Sequence, residues 1–309
     1  MVIEGGPVPP CLQKYTFING GSTGWVFGLT DDIVLKYARP GRMDSFLAEN
    51  AIYDKLERSD RPASLMQSLL RRPGFNFMPR MVQSLDERLH ANQGRLEPVA
   101  TVGRWAAEVS EAMAWLARHG LVHGDLRPPN MLLDARDHLV LADFNLVARI
   151  GDVHGGASWP WAHRRVCTPT TCKDPSGCPA RYGHHGAATE QFSLGSVLYN
   201  LVKGVELGGS EAEHMVKGHL VMPVMGDAPL GRFVQRCWNG EFAELAELAR
   251  EAKRLEGAED AGKGTGLGTA DMRAARARCE RFLEEELAEI VPHEESEAAQ
   301  GLMGTCEPS

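Results

Sequence analysis

The chain has 309 residues, 43% of them hydrophobic, enough for one large domain or two small ones with a real core. A formal net charge of −8 argues against general nucleic-acid binding, although Lys253/Arg254 and Arg273/Arg276/Arg278 make local basic patches. No apolar run approaches the roughly 20 residues that span a bilayer. The opening MVIEGGPVPP lacks the features of a signal peptide. Seven unevenly spaced cysteines then read as free thiols in a reducing setting, cytoplasmic or nuclear.

In chain order, residues 1–14 form an extension. YTFIN, WVFGL and IVLKYA alternate or run apolar as strands, with Thr30-Asp31-Asp32 turning between the last two. Phe46/Leu47, Ala51/Ile52 and Leu56 share one face of a predicted helix over 43–58. Residues 60–79 read as irregular, with a short helix at SLMQSLL, and MVQSL and GRLEPV read as two more strands. From Val102 the spacing turns helical and ends before Gly120. Residues 146–187 read as loop. Helices are predicted over 189–203, 211–219, 229–238 and 241–256. A Gly-rich linker covers 257–269, a solvated terminal helix 270–291 and a disordered tail 292–309. A strand-rich part over 15–97 thus precedes a helix-rich part over 98–256, which suggests two lobes with a cleft.

Phosphoryl transfer requires that phosphates be held, Mg²⁺ be placed and an acceptor hydroxyl be oriented. Candidates for each task occur in order. Asn19-Gly20-Gly21-Ser22-Thr23-Gly24-Trp25-Val26 fits G-x-G-x-x-G-x-V with Asn19 at the first glycine. Glycines let backbone N–H groups approach phosphate oxygens. Next, Lys36 ends the apolar run Ile33-Val34-Leu35 and needs a counter-charge, for which Glu49 on the following helix is the natural partner. Last, HGDLRPPN matches H-R-D-L-x-x-x-N with Gly124 for arginine. An apolar hairpin then ends at Asp143-Phe144-Asn145. Carboxylate and amide oxygens suit a hard cation.

Over residues 15 to about 255 the chain resembles a eukaryotic-type protein kinase domain. TEQFSLG resembles the start of that family's central helix, and Arg236-Cys237-Trp238 its late C-W element. The style is similar to small, divergent kinase-like proteins of filamentous fungi. The resemblance implies an α+β two-lobe fold: a small antiparallel-sheet N-lobe with one helix, and a mainly helical C-lobe. It implies ATP-dependent transfer to a protein hydroxyl, Ser/Thr favoured over Tyr. Asp125, Arg127, Lys36 and Glu49 are then catalytic. Gly21, Ser22, Thr23, Gly24, Val26, Lys36 and Glu97, at a hinge in RLEP, contact ATP. Asn130 and Asp143 hold Mg²⁺.

The departures bear on regulation and rate. Gly124 replaces an arginine that reads activation-loop phosphate. Asn145 stands for the glycine of D-F-G and tolerates left-handed backbone. Glu190 replaces the aspartate that supports the catalytic loop. No A-P-E motif follows. A slow kinase, an inactive scaffold of the same fold and a KEOPS-type kinase stay open; an aminoglycoside-type phosphotransferase shares the H-G-D loop, but FSLGS and RCWNGEF look more like protein kinases. Cys167, Cys172 and Cys178, with His163, His184 and His185 nearby, read as loop thiols and solvated histidines ahead of zinc ligands. Trp159, Trp161 and Arg164-Arg165 read as loop packing ahead of an acceptor-docking patch.

Overall fold

Strand IVLKYA is buried almost throughout, and the smaller of two units is built outward from it. The computed structural model describes residues 2–3, 6–57, 61–155, 184–207, 215–216, 219–220, 222–263 and 269–288. Two units divide the chain: residues 1–53, 67–80 and 267–309 make the first, and 54–66 with 81–266 the second.

In the first unit, β1 (Val2–Ile3) pairs with β2 (Gly6–Pro7). An antiparallel five-stranded sheet follows, built from β3 (Thr16–Gly20), β4 (Gly24–Gly28), β5 (Ile33–Ala38), β6 (Leu70–Arg72) and β7 (Phe75–Pro79). Its order is β3-β4-β5-β7-β6. Side chains alternate between the two faces of a strand. Ile33 and Leu35 join Trp25, Phe27, Phe75 and Phe77 in one buried cluster. Lys36 lies on the opposite face, towards Glu49 of α1 (Met43–Glu57). The turn before β5 is closed by Thr30, whose hydroxyl donates to Asp32 and accepts from the Ile33 amide.

The β6–β7 hairpin falls where sequence reading left residues 60–79 irregular. Pro73-Gly74 is a turn signal, and Phe75/Phe77 alternate with Asn76, but the surrounding arginines and prolines mask the pattern. Leu65 makes an isolated bridge where a short helix was expected at SLMQSLL.

The C-terminal helix is also corrected. Helix α7 (Thr269–Glu285) is no solvated appendage: Ala275, Cys279, Leu283 and, just beyond it, Leu287 enter the cluster of Trp25 and Phe27, beside Val8 and Leu12. Alanine and cysteine are small, so the charged residues around that stripe dominate the sequence pattern. Two of those charges are docking contacts. Arg278 donates to Asp32 at 3.1 Å and 2.5 Å, and Lys14 to Glu286 at 2.6 Å.

The second unit carries β8 (Gln83–Ser84), α2 (Leu85–Asn92), α3 (Val99–Arg118), β9 (Leu121–Val122), β10 (Met131–Leu133), β11 (Leu139–Leu141) and β12 (Ala148–Arg149). After these come α4 (Ala187–Lys203), β13 (Met215–Val216), β14 (His219–Leu220), α5 (Pro229–Asn239) and α6 (Leu245–Ala252). MVQSL is a strand only at Gln83–Ser84, because Ser84 and Glu87 form a reciprocal capping box that starts α2. GRLEPV is the connection from α2 to α3, not a strand. Paired β13 and β14 replace part of the helix expected over 211–219. The remainder of that span, residues 156–183 with their cysteines, tryptophans and arginine pair, and the tail from 292 lie outside the described residues. Among the described residues no helix is long and apolar enough to cross a membrane.

Burying the apolar sheet face depends on α7. Leu287→Ala should therefore cost roughly 2–5 kcal/mol, read as a fall in thermal midpoint. Deletion of 267–309 should lower it further and raise binding of a hydrophobic dye; an unchanged midpoint would mean that α7 contributes nothing.

Candidate active site

In the first unit, Lys36 and Glu49 form a bidentate ion pair, Nζ to Oε1 at 2.7 Å and to Oε2 at 2.8 Å. Their side chains are 7% and 2% exposed. A buried charge needs both a counter-charge and hydrogen bonds, and register supplies them. β5 carries Lys36 inward, and Glu49 lies in the second turn of α1. Opposite Lys36 on β4 stands Val26. Gly24 begins β4 beside them: a Cβ there would meet Tyr37 O at 2.8 Å and Lys36 Cγ at 3.0 Å. The third glycine thus serves close packing against the lysine.

The glycine-rich turn is tied internally. Gly21 N donates to Gly24 O at 2.8 Å, and Gly20 N to Asn19 Oδ1 at 2.7 Å. Thr23, expected among the phosphate contacts, is 4% exposed, and its hydroxyl donates to Glu49 Oε2 at 2.9 Å. Its side chain is therefore spent on the ion pair. Sequence reading passed over Arg39, which donates to Gly21 O through its guanidinium and to Thr23 O through its amide, both at 2.9 Å.

In the second unit, Leu126 is buried and Pro128 opens a 3₁₀ turn over Pro128–Asn130. Proline pre-sets the backbone for such a start. The turn brings Asn130 back onto Asp125. Asn130 Nδ2 donates to Asp125 O at 2.9 Å and Oδ2 at 2.8 Å. Arg127 Nε donates to the same Oδ2 at 2.9 Å. The β10–β11 hairpin then returns the chain so that Ala142 N donates to Asn130 O at 2.9 Å, one residue before Asp143. Asp143 itself is left-handed, φ 64° and ψ 81°. Strain at a non-glycine residue is characteristic of functional positions. Asn145 is not left-handed; it sits in the 3₁₀ turn Phe144–Leu146. The expectation that asparagine there must tolerate such backbone is thus corrected, because Asp143 carries it.

His123 links these parts. Its Nε2–H donates to Ala142 O at 3.0 Å, and its Nδ1 accepts from Asp125 N at 3.3 Å. Burial lowers its pKa and favours this neutral imidazole, against the charges of Asp125 and Asp143. Glu190 accepts from the amides of His123 at 3.0 Å and Gly124 at 3.1 Å. Burial pushes its carboxyl up to about 7, although those same two bonds oppose the rise. Helix α4 is fixed beneath the loop by neighbours of Glu190. The Gln191 side chain exchanges two hydrogen bonds with the backbone of Phe242, and Trp238 Nε1 donates to Ser196 Oγ at 3.2 Å. TEQFSLG and Arg236-Cys237-Trp238 meet at Gly195, where an added Cβ would lie 2.9 Å from Cys237 Cβ and 3.1 Å from Trp238.

Gly124 has a steric reason. Its φ is +80°, and a Cβ would lie 2.3 Å from Leu146 O. Glu97 is likewise reassigned. Its carboxylate accepts from Arg88 Nε at 2.8 Å and from Asn92 Nδ2 at 2.5 Å, holding the α2–α3 connection. The sheet instead ends at Pro79, and the chain passes into the second unit after Arg80. Helix α2 lies between the end of the sheet and RLEP, so RLEP is not where the sheet ends.

The family model for the protein kinase domain matches residues 38–255. The chain belongs to the protein kinase family. Its α+β fold is the family's, a small antiparallel sheet with α1 followed by a helical part, and α7 packs on the sheet as a second helix. Protein kinase 2 of Dictyostelium discoideum is 28% identical over 154 residues, 49% of this chain and 26% of that protein. Ribosomal protein S6 kinase delta-1 of Mus musculus is 32% identical over 131 residues, 40% and 11% of the two chains. Serine/threonine-protein kinase Sgk1 of Rattus norvegicus is 32% identical over 113 residues, 36% and 23%. The chain thus spans about a quarter or less of the length of these curated relatives. Gly21 to Lys36 lie outside the matched span, so their place in this kinase rests on order and on the Lys36–Glu49 pair.

Two outcomes follow. Gly124→Arg, which restores the commoner family residue, should destabilise by roughly 2 kcal/mol or more, because left-handed backbone and a carbonyl both oppose a side chain; a thermal melt at or above wild type would contradict the clash. Glu190 stays protonated in the folded protein up to about pH 7 but in the unfolded chain only to about 4.5. Its contribution to stability is therefore full below the lower value and falls as pH rises through the window. Glu190→Gln should flatten that slope, measured by thermal unfolding across it.

Proposed function

We propose that this kinase is an ATP- and Mg²⁺-dependent enzyme that phosphorylates a protein hydroxyl, Ser/Thr in preference to Tyr. The observation that carries the reading is the buried, bidentate Lys36–Glu49 pair, which has no structural need to be ionic in an apolar sheet. The names of relatives such as Sgk1 support the Ser/Thr preference. The likeness to fungal proteins rests on sequence style alone.

The donor set fits the implied groups. Asn130 commits Nδ2 to Asp125, which leaves its Oδ1 as the atom it can offer a cation, and Asp143 adds carboxylate oxygen. When bound, the metal neutralises charge on the phosphate oxygens. Lys36, steered by Glu49, supplies a fixed positive charge to those oxygens. Gly21, Ser22, Gly24 and Val26 would cover them, through backbone at the first three. Asp125 orients the acceptor hydroxyl and takes its proton. Arg127 holds the Asp125 carboxylate in place and keeps positive charge beside it, in fork geometry.

One observation favours a second reading, a binding module without turnover. Two amides of the glycine-rich turn, Gly20 and Gly21, are already bonded inside the turn. Thermal unfolding with ATP, with and without Mg²⁺, separates the readings. At about 100 times its Kd the ligand should stabilise by roughly 2.7 kcal/mol. The shift should require Mg²⁺ and vanish in Asp143→Asn. Asp125→Asn should keep the shift and lose phosphate transfer. A Mg²⁺-dependent shift with no transfer to any protein acceptor would favour the binding module, and no shift at all would end the ATP reading.

A further inference from the structure

We propose that Thr23 is a positioning residue that couples the glycine-rich turn to the Lys36–Glu49 pair; its consequence for ATP rests on the kinase reading above. Glu49 Oε2 accepts from two donors, Lys36 Nζ at 2.8 Å and Thr23 Oγ1 at 2.9 Å. A carboxylate can turn about its last torsion, and two donors on one oxygen plus a third bond on the other restrict that turn. Thr23 is 4% exposed although it lies in the turn itself, so it is held inward.

A second contact makes the same link independently. Gly24, the next residue, packs so closely that an added Cβ would lie 3.0 Å from Lys36 Cγ and 3.2 Å from Phe46 of α1. The backbone of the turn is meanwhile fastened by Arg39, at Thr23 O and Gly21 O. Turn, lysine and α1 therefore move together. A shift of α1 that withdraws Glu49 would release the turn, and an opened turn would loosen the carboxylate. Position of the turn becomes a readout of the ion pair.

Hydrogen exchange at the Gly21 and Arg39 amides tests this without any activity. Both are bonded within the turn, to Gly24 O and Thr23 O. Thr23→Val keeps shape and removes the donor; exchange at both should quicken about tenfold, the scale of a lost bond to a charged group. Thr23→Ser should stay within about twofold of wild type by the same scale. Replacing Lys36 and Glu49 together by Met removes the acceptor without stranding a charge. In that background Thr23→Val should add nothing. Equal acceleration there would mean that packing alone is felt, and unchanged exchange in Thr23→Val alone would equally overturn the coupling. In turnover assays Thr23→Val should raise the KM for ATP more than it lowers kcat, since the turn holds the phosphates before and during transfer. Wild type that never turns over ATP would count against the kinase reading, while the exchange result would still decide the coupling.

Discussion

A carboxylate taken out of water must find its donors inside the protein, and each unit of this kinase is organised around one such group. In the first unit the group is Glu49. It is satisfied by Lys36 from the sheet and Thr23 from the glycine-rich turn. In the second it is the carboxyl of Glu190, satisfied by the successive amides of His123 and Gly124. Remove the donors and the carboxylate is stranded; remove the carboxylate and the loop or lysine loses its anchor. The constraint is mutual, which is why these contacts define geometry better than apolar packing could.

The demand spreads outward. Lys36 can be buried only if both sides of its strand are covered. One side is covered by α1, and the other by the N-terminal segment and α7, which together close over Trp25, Phe27 and the phenylalanines of β7. The segment of Val8 and Leu12 and helix α7 thus cover one face of a sheet whose middle carries the charge pair. Glu190 requires a helix that does not slide, and Gln191 and Trp238 fix α4 against α5 and the Phe242 backbone. Gly124 completes that arrangement, since only a residue without a side chain lets Leu146 O approach while its amide reaches Glu190.

The family's commoner residues at Gly124 and Glu190 differ, and the two changes sit in one contact. A longer carboxylate reaches the loop from below, and a bare backbone receives it. Asn145 has no comparable cost, because the strained backbone belongs to Asp143. What reads in the sequence as decay of a motif is therefore, in large part, a different solution to the same hydrogen-bonding problem.

Spacing alone determined a good deal. The approach of Asn130 to Asp125, the pairing of Lys36 with Glu49 and the support from Glu190 were legible because short motifs are held by local turns and strand parity. The three strands β3, β4 and β5 were legible from alternating or continuous apolar residues, and the extents of α1 and α3 from helical spacing, although Leu47 and Ala51 of α1 face outward where the spacing put them on the inner face. Tertiary structure decided the rest. Glu97 looked like a hinge residue until Arg88 and Asn92 claimed its carboxylate. Thr23 was expected among the phosphate contacts, and only packing shows that its hydroxyl is held by Glu49. The β6–β7 hairpin was hidden by arginines and prolines, and α7 by the smallness of Ala275 and Cys279. The partners of Thr23 and of α7 lie far away in sequence, and those of Glu97 and of the β6–β7 hairpin lie near but on elements that the pattern of polarity does not show.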